Sequence, residues 1–170
     1  KNYLKKKLDL YINYFLYSDM KNTIIFDLDG TLALIDKRRE VSTKPNGKLD
    51  WKKFFNPSNI KLDEPNPPVV KMAQMFHNDG FNIVILSGRS NRTERTTRSW
   101  LTNHNIPFHK LVMRDSETNH FTPDWVLKKE MLDEHVDIND VFLVVDDRDR
   151  VVKVWRSLGL TTFQVADGDF

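Results

Sequence analysis

Five short apolar runs separated by amphipathic segments leave little choice of architecture for residues 22–170. The runs are TIIFDL (23–28), FNIVILS (81–87), KLVM (110–113), VFLVV (141–145) and TTFQV (161–165). Helical patterns lie between them at 66–79, at 90–104, from Pro123 to about His135, and in RVVKVWRSLG, which Gly159 ends. Prolines open two of these helices and glycines follow two, matching the preference of proline for a first helical turn and of glycine just past a last one. Apolar strands of this kind are buried on both faces. Their alternation with helices predicts an α/β domain, a Rossmann-like three-layer α/β/α fold with a parallel sheet.

Ligands bind such sheets at the carboxyl ends of the strands. The polar residues just after the first, second and fourth runs are Asp27, Asp29, Ser87, Arg89, Asp146 and Asp147, which are expected to form one site. The segment Asp27-Leu28-Asp29-Gly30-Thr31 carries the most specific chemistry. A carboxylate at 27 is a competent nucleophile toward phosphorus and yields an aspartyl-phosphate. A second carboxylate at 29 points the same way if the strand continues. It can protonate the leaving oxygen and then deprotonate the attacking water. Gly30 allows a tight turn, and the Thr31 hydroxyl with nearby N–H groups can hold phosphate oxygens.

Taken together, DLDGT, SGR, a downstream lysine and DDR resemble the four ordered motifs of the haloacid-dehalogenase (HAD) superfamily. The resemblance implies that Ser87 binds the phosphoryl group and that Lys128, with Lys129 as a neighbouring alternative, neutralises nucleophile and phosphate. It implies Mg²⁺ held by Asp27, Asp146, Asp147 and the backbone carbonyl at Asp29. An all-oxygen set suits Mg²⁺. Over 22–170 the chain is more narrowly similar to the 3′-phosphatase domains of T-even phage polynucleotide kinase/phosphatases, through FDLDGTLA, VILSGR, VVDDR and the ending WRSLGLTTFQVADGDF. That similarity implies substrate-side roles for Arg38, Arg89 and Asp124, and makes Asp147 the more direct metal ligand of the acidic pair. The expected activity is removal of phosphate from 3′ ends of DNA or RNA, with a polynucleotide kinase or ligase in the same pathway. The phosphate loop G-x-x-x-x-G-K-[ST] is missing, so the sequence given has no kinase half.

The same motifs serve 5′/3′-nucleotidases acting on mononucleotides. A receiver-like phosphoacceptor also combines acids, a hydroxyl and a lysine. It carries the acceptor on a middle strand after an acidic pair on the first, the reverse of the order here. A non-catalytic nucleic-acid-binding module leaves the complete acid set unexplained.

Residues 32–65 are far longer than an ordinary strand–helix connection. They contain Trp51, Phe54 and Phe55, so a small cap is expected at about 34–65 within a domain spanning 21–170. Trp51 and Phe55 are candidates for base stacking or for packing. Arg89, Arg92, Arg95 and Arg98 recur every three residues, a string that suits either a polynucleotide backbone or a solvated helix face. Trp100, Trp125 and Trp155 lie on amphipathic helices and are expected in the core. Residues 1–20, with Leu4, Leu8, Ile12, Phe15 and Leu16 at helical spacing, form a separate extension, either a helix or the end of an upstream domain.

Composition excludes several alternatives. With 26 Lys+Arg against 24 Asp+Glu, total charge does not point to nucleic acid. The absence of cysteine rules out disulfides, thiolate catalysis and cysteine zinc sites. His104, His109, His120 and His135 lack zinc-ligand spacing. No apolar run approaches the ~20 residues that span a bilayer. Asp9 and Asn13 interrupt the apolar N-terminal stretch, and no small-residue cleavage site follows it. The expected location is therefore cytoplasmic, with no membrane partner.

Overall fold

The computed structural model describes residues 21–118 and 121–168, so the extension expected at 1–20 and His120 lie outside the described residues. In chain order the elements are β1 Thr23–Phe26, β2 Ala33–Leu34, α1 Asp36–Ser42, α2 Trp51–Phe54, α3 Pro57–Ile60, β3 Glu64–Pro65, α4 Pro67–Asn78, β4 Asn82–Ser90, α5 Glu94–Asn103, β5 Lys110–Arg114, α6 Asp124–His135, β6 Val141–Asp146, α7 Asp149–Ser157 and β7 Thr162–Gln164. Five strands form a parallel sheet in the order β5-β4-β1-β6-β7. This is the α/β fold that the alternation of apolar runs and helices predicts.

The period of two along each strand sorts its side chains between two cores. Ile24, Phe26, Ile83, Ile85, Leu143 and Val145 pack with Val69, Val70 and Ala73 of α4 and with Trp100 and Leu101 of α5. Ile25, Val84, Leu86, Val112 and Val144 pack on the other face with Leu127, Met131 and Leu132 of α6 and with Val151 and Trp155 of α7. Because β1 is central, the chain leaves it toward β4 on one side and β6 on the other. The carboxyl end of β1 is thus the switch point where an open sheet forms a crevice.

Two strand ends differ from the pattern in the sequence. The first strand stops at Phe26, because a turn follows in which Thr31 and Ala33 both donate to the Leu28 carbonyl. Strand β4 runs on through Ser87, Gly88 and Arg89 to Ser90, with irregular pairing to β5 between Ser87 and Ser90. The helix expected from 90 opens instead with a 3₁₀ turn at Asn91–Thr93, capped by the Ser90 hydroxyl, before α5.

The insertion after β1 is ordered. Strands β2 and β3 pair antiparallel, Ala33 opposite Pro65, and close its base. Between them lie the three short helices α1 to α3. The Asp50 side chain caps α2 and the Asn56 side chain caps α3, as short polar residues do at helix starts. No helix among the described residues is long and apolar enough to cross a membrane.

Candidate active site

Asp27 follows β1 directly, and its amide donates to the Val145 carbonyl of β6 at 2.9 Å. Its carboxylate meets Lys128 Nζ of α6 at 2.5 Å, and the same ammonium reaches Asp146 Oδ2 at 2.9 Å. All three side chains are buried. Lys129, the neighbouring alternative, pairs instead with Asp133 on the exposed face of α6. Among the described residues, Asp27, Asp146 and Asp147 bring carboxylate oxygens within 4.8 Å of one another. Burial pushes the Asp27 carboxyl well above its usual range, with Asp146 and Asp147 adding to the rise and Lys128 opposing it. Burial and Asp146 raise Asp147 as well. One lysine thus serves three clustered acids. Lys128→Met leaves Asp27 and Asp146 without their shared cation. It is expected to lower the unfolding free energy by about 3–5 kcal/mol, measured by denaturant titration; an unchanged midpoint would show that the acids shed their charge without cost.

The acidic pair divides its contacts unevenly. Asp146 Oδ1 accepts from the Arg148 amide, and Oδ2 accepts from Lys128 and from the Trp155 indole at 3.2 Å. Trp155 lies in the core as expected, yet it also holds an acid of the site. Asp147 commits Oδ1 to the Thr31 hydroxyl at 3.1 Å. The hydroxyl of Thr31, a residue expected to hold phosphate, thus donates to Asp147. Gly30 has φ +96°, and a side chain there would collide with the Asp147 carboxylate, so both backbone and space require glycine. Behind this loop, the Asp149 amide donates to the Gly168 carbonyl, and Gln164 Nε2 donates to the Asp147 carbonyl.

Asp29 has a separate set of partners. Its carboxylate accepts from two guanidiniums: Arg38 Nη2 at 2.5 Å, and Arg89 through Nε at 2.8 Å and through Nη2. Both arginines are fully buried. Both residues expected on the substrate side therefore grip Asp29. Burial raises the Asp29 carboxyl, but Arg89 and Arg38 outweigh it and hold it below the usual range. Behind the arginines sits Asp63, pairing with Arg38 Nε at 2.9 Å and Arg89 Nη2 at 2.7 Å. Its backbone carbonyl accepts from the Trp100 indole.

Asp63 carries no local sequence signal. Only the need of two buried arginines for a second counter-charge calls for an acid there. Burial lifts its carboxyl to about 6, against the pull of Arg89 and Arg38. A carboxyl raised in the folded state contributes stability at low pH that is lost as pH rises through about 6. The gap in thermal midpoint between the parent and Asp63→Asn should accordingly move in the variant's favour from pH 5 to pH 7. A gap independent of pH would mean that Asp63 ionises normally.

Ser87 and Asp124 complete the crevice. The Ser87 hydroxyl accepts from the Arg89 amide at 3.2 Å, which leaves its proton to donate. Asp124, at the start of α6, packs so closely on Gly88 that a Cβ there would lie 2.5 Å from its Oδ1. It pairs with Arg148 at 3.1 Å and with Arg114 at 3.5 Å, so it ties the second and fourth motifs together. Of the arginine string, Arg89 is buried, Arg92 pairs with Glu117 and Arg98 with Glu94.

The profile of the polynucleotide kinase PNKP phosphatase domain, a HAD family, matches residues 21–170. A protein of Autographa californica nuclear polyhedrosis virus, named as a bifunctional polynucleotide kinase/RNA ligase, is 31% identical over 144 residues, covering 82% of this chain and 18% of the viral protein. A chain in the structure of the Pnkp1/Rnl/Hen1 complex is 34% identical with a TM-score of 0.74, covering 90% of this chain and 48% of that one. A second structure, of the Pnkp1/Rnl/Hen1 RNA repair complex, gives 35% identity and a TM-score of 0.74 over 89% of this chain and 44% of the other. The chain thus spans less than half the length of these relatives. A phosphatase structure from Clostridium difficile, 14% identical with a TM-score of 0.66 over 88% of this chain and 86% of that one, shares the fold.

Proposed function

Since this chain belongs to the PNKP phosphatase-domain family of HAD phosphatases, we propose that it hydrolyses phosphomonoesters at the 3′ ends of polynucleotides and leaves a 3′-hydroxyl. The observation that carries this reading is the buried Asp27–Lys128–Asp146 bridge at the switch point of the sheet, with Asp29 gripped by its own pair of arginines. Asp27 attacks phosphorus and the bond to the 3′ oxygen breaks. Asp29 passes a proton to that oxygen, and the aspartyl-phosphate remains. Water then attacks phosphorus, Asp29 takes its proton, and the bond to Asp27 breaks to release phosphate. Two guanidiniums keep Asp29 ionised, which suits the second half. In the first half, the proton it relays enters with the substrate monoanion. Ser87 donates to a phosphoryl oxygen, and Lys128 balances the charge that builds there.

The buried acids Asp27, Asp146 and Asp147, short of positive charge, fit a divalent cation, with Asp147 the more direct ligand of the pair because Asp146 is already bonded on both oxygens. When bound, Mg²⁺ supplies Lewis-acid stabilisation of phosphoryl charge. A polynucleotide kinase and a ligase acting alongside would suit ends prepared in this way, as the name of the viral relative suggests.

The test is a panel with phosphate at a 3′ end, at a 5′ end and on mononucleotides. Release from 3′-phosphorylated oligomers should exceed the others. Equal or greater release from mononucleotides would replace this reading with a nucleotidase.

A further inference from the structure

The cap insertion is where charge and exposed aromatic surface coincide. Residues 34–65 contain eight Lys or Arg and five Asp or Glu, a surplus of three where the whole chain has a surplus of two. Two of those basic residues are neutralised, Lys37 by Glu64 and Arg38 by Asp29 and Asp63. Lys44, Lys48, Lys52, Lys53 and Lys61 are all exposed and have no acidic partner among the described residues. Outside the cap, Arg92, Arg98 and Lys129 are paired with Glu117, Glu94 and Asp133, while Lys71, Arg95 and Lys153 are exposed and more widely spaced in the sequence.

Trp51 stands among these lysines with 60% of its surface exposed. It is not a loose side chain. Its ring stacks on Phe55 at 5.8 Å and 18°, and Phe54 meets both rings edge-on at 5.7 and 5.2 Å. Phe54 is buried and lies beneath the Arg38 guanidinium, 4.2 Å from its centre, and Arg38 holds Asp29. The indole is thus a braced platform, joined to the crevice through Phe54 and Arg38. A large aromatic fixed in place with one face in water offers stacking area at little ordering cost, and the unpartnered lysines supply attraction for phosphates.

We propose that Trp51 is the stacking platform for a nucleobase of the strand on the 5′ side of the reacting phosphate, with Lys44, Lys48, Lys52 and Lys53 facing that strand's internal phosphates. The occupant is single-stranded, because a base inside a duplex is already stacked on both faces. This rests on the reading that the substrate is a polynucleotide 3′ end. Selectivity for an oligomer over a mononucleotide is then built into the cap, apart from the acids that carry out the reaction.

The experiment compares parent, Trp51→Ala and Trp51→Phe on a 3′-phosphorylated single-stranded oligomer and on p-nitrophenyl phosphate. The ratio of kcat/KM for oligomer over aryl phosphate should fall about ten-fold or more in Trp51→Ala and recover in large part in Trp51→Phe. Separately, a 3′-hydroxyl oligomer, which cannot react, should quench parent tryptophan emission and leave that of Trp51→Phe nearly unchanged. If the parent acts on the oligomer while the ratio stays constant across the variants and no quenching is seen, the platform is refuted and the 3′-phosphatase reading stands. If the parent cleaves only the aryl phosphate, that reading falls and quenching decides the platform: Trp51-dependent quenching upholds it and its absence overturns it.

Discussion

Asp27→Asn is expected to lower turnover by at least about 10⁴-fold while the protein stays folded. An amide at this position cannot form the phospho-enzyme. The fold should survive because burial and the neighbouring acids already disfavour charge on Asp27. The substitution relieves that repulsion, and Lys128 keeps Asp146 as a partner. Asp29→Asn should lose about 10²–10⁴-fold, the range for removal of an acid–base group. Phosphate release and the thermal midpoint, measured on the same samples, separate chemistry from folding. Near-parental release by Asp27→Asn would overturn the assignment of the nucleophile.

Excess chelator should bring activity to background, and Mg²⁺ or Mn²⁺ should restore it. A second readout does not depend on turnover. A cation that binds only the folded state raises stability by about 2.7 kcal/mol at a hundred-fold excess over its dissociation constant. Mg²⁺ should therefore raise the thermal midpoint of the parent. Asp147→Ala should abolish that rise and damage activity at least as much as Asp146→Ala. Asp146→Ala should instead lose stability before any metal is added, since Asp146 anchors Lys128, the Trp155 indole and the Arg148 amide. Full activity in excess chelator would remove the metal from the mechanism.

The sheet and the position of Asp27 were legible because both rest on local pattern. Apolar runs mark strands, and a turn of Asp, Gly and Thr directly after one marks its carboxyl end. Lys128 could be preferred to Lys129 only through the family resemblance. Its burial confirms that it belongs to the inner face of α6, on which Leu127, Met131 and Leu132 also lie. The partners of Asp29 were not legible, since Arg38 and Arg89 lie 9 and 60 positions away in the sequence. Asp63 was missed altogether. It lies at the far end of the insertion and acquires its role from Arg38 and Arg89, residues 25 and 26 positions away in the sequence. Buried charge networks close across such distances, and no window of sequence contains both ends.

The central place of β1 has a consequence for synthesis of the protein. β1 is the earliest of the five sheet strands to leave the ribosome, yet it is completed on one side only when Phe26 finds Val145. At ordinary elongation rates that wait is on the order of ten seconds. During this interval β1 can pair with β4 but has one open edge, and an apolar strand with an open edge invites pairing with other chains. Asp27 meets Asp146 and Asp147 only when β6 docks, so the nascent chain has no assembled acidic cluster in which a reactive carboxylate could be set. The same topology that puts the nucleophile at the switch point makes the crevice one of the last parts of the molecule to form.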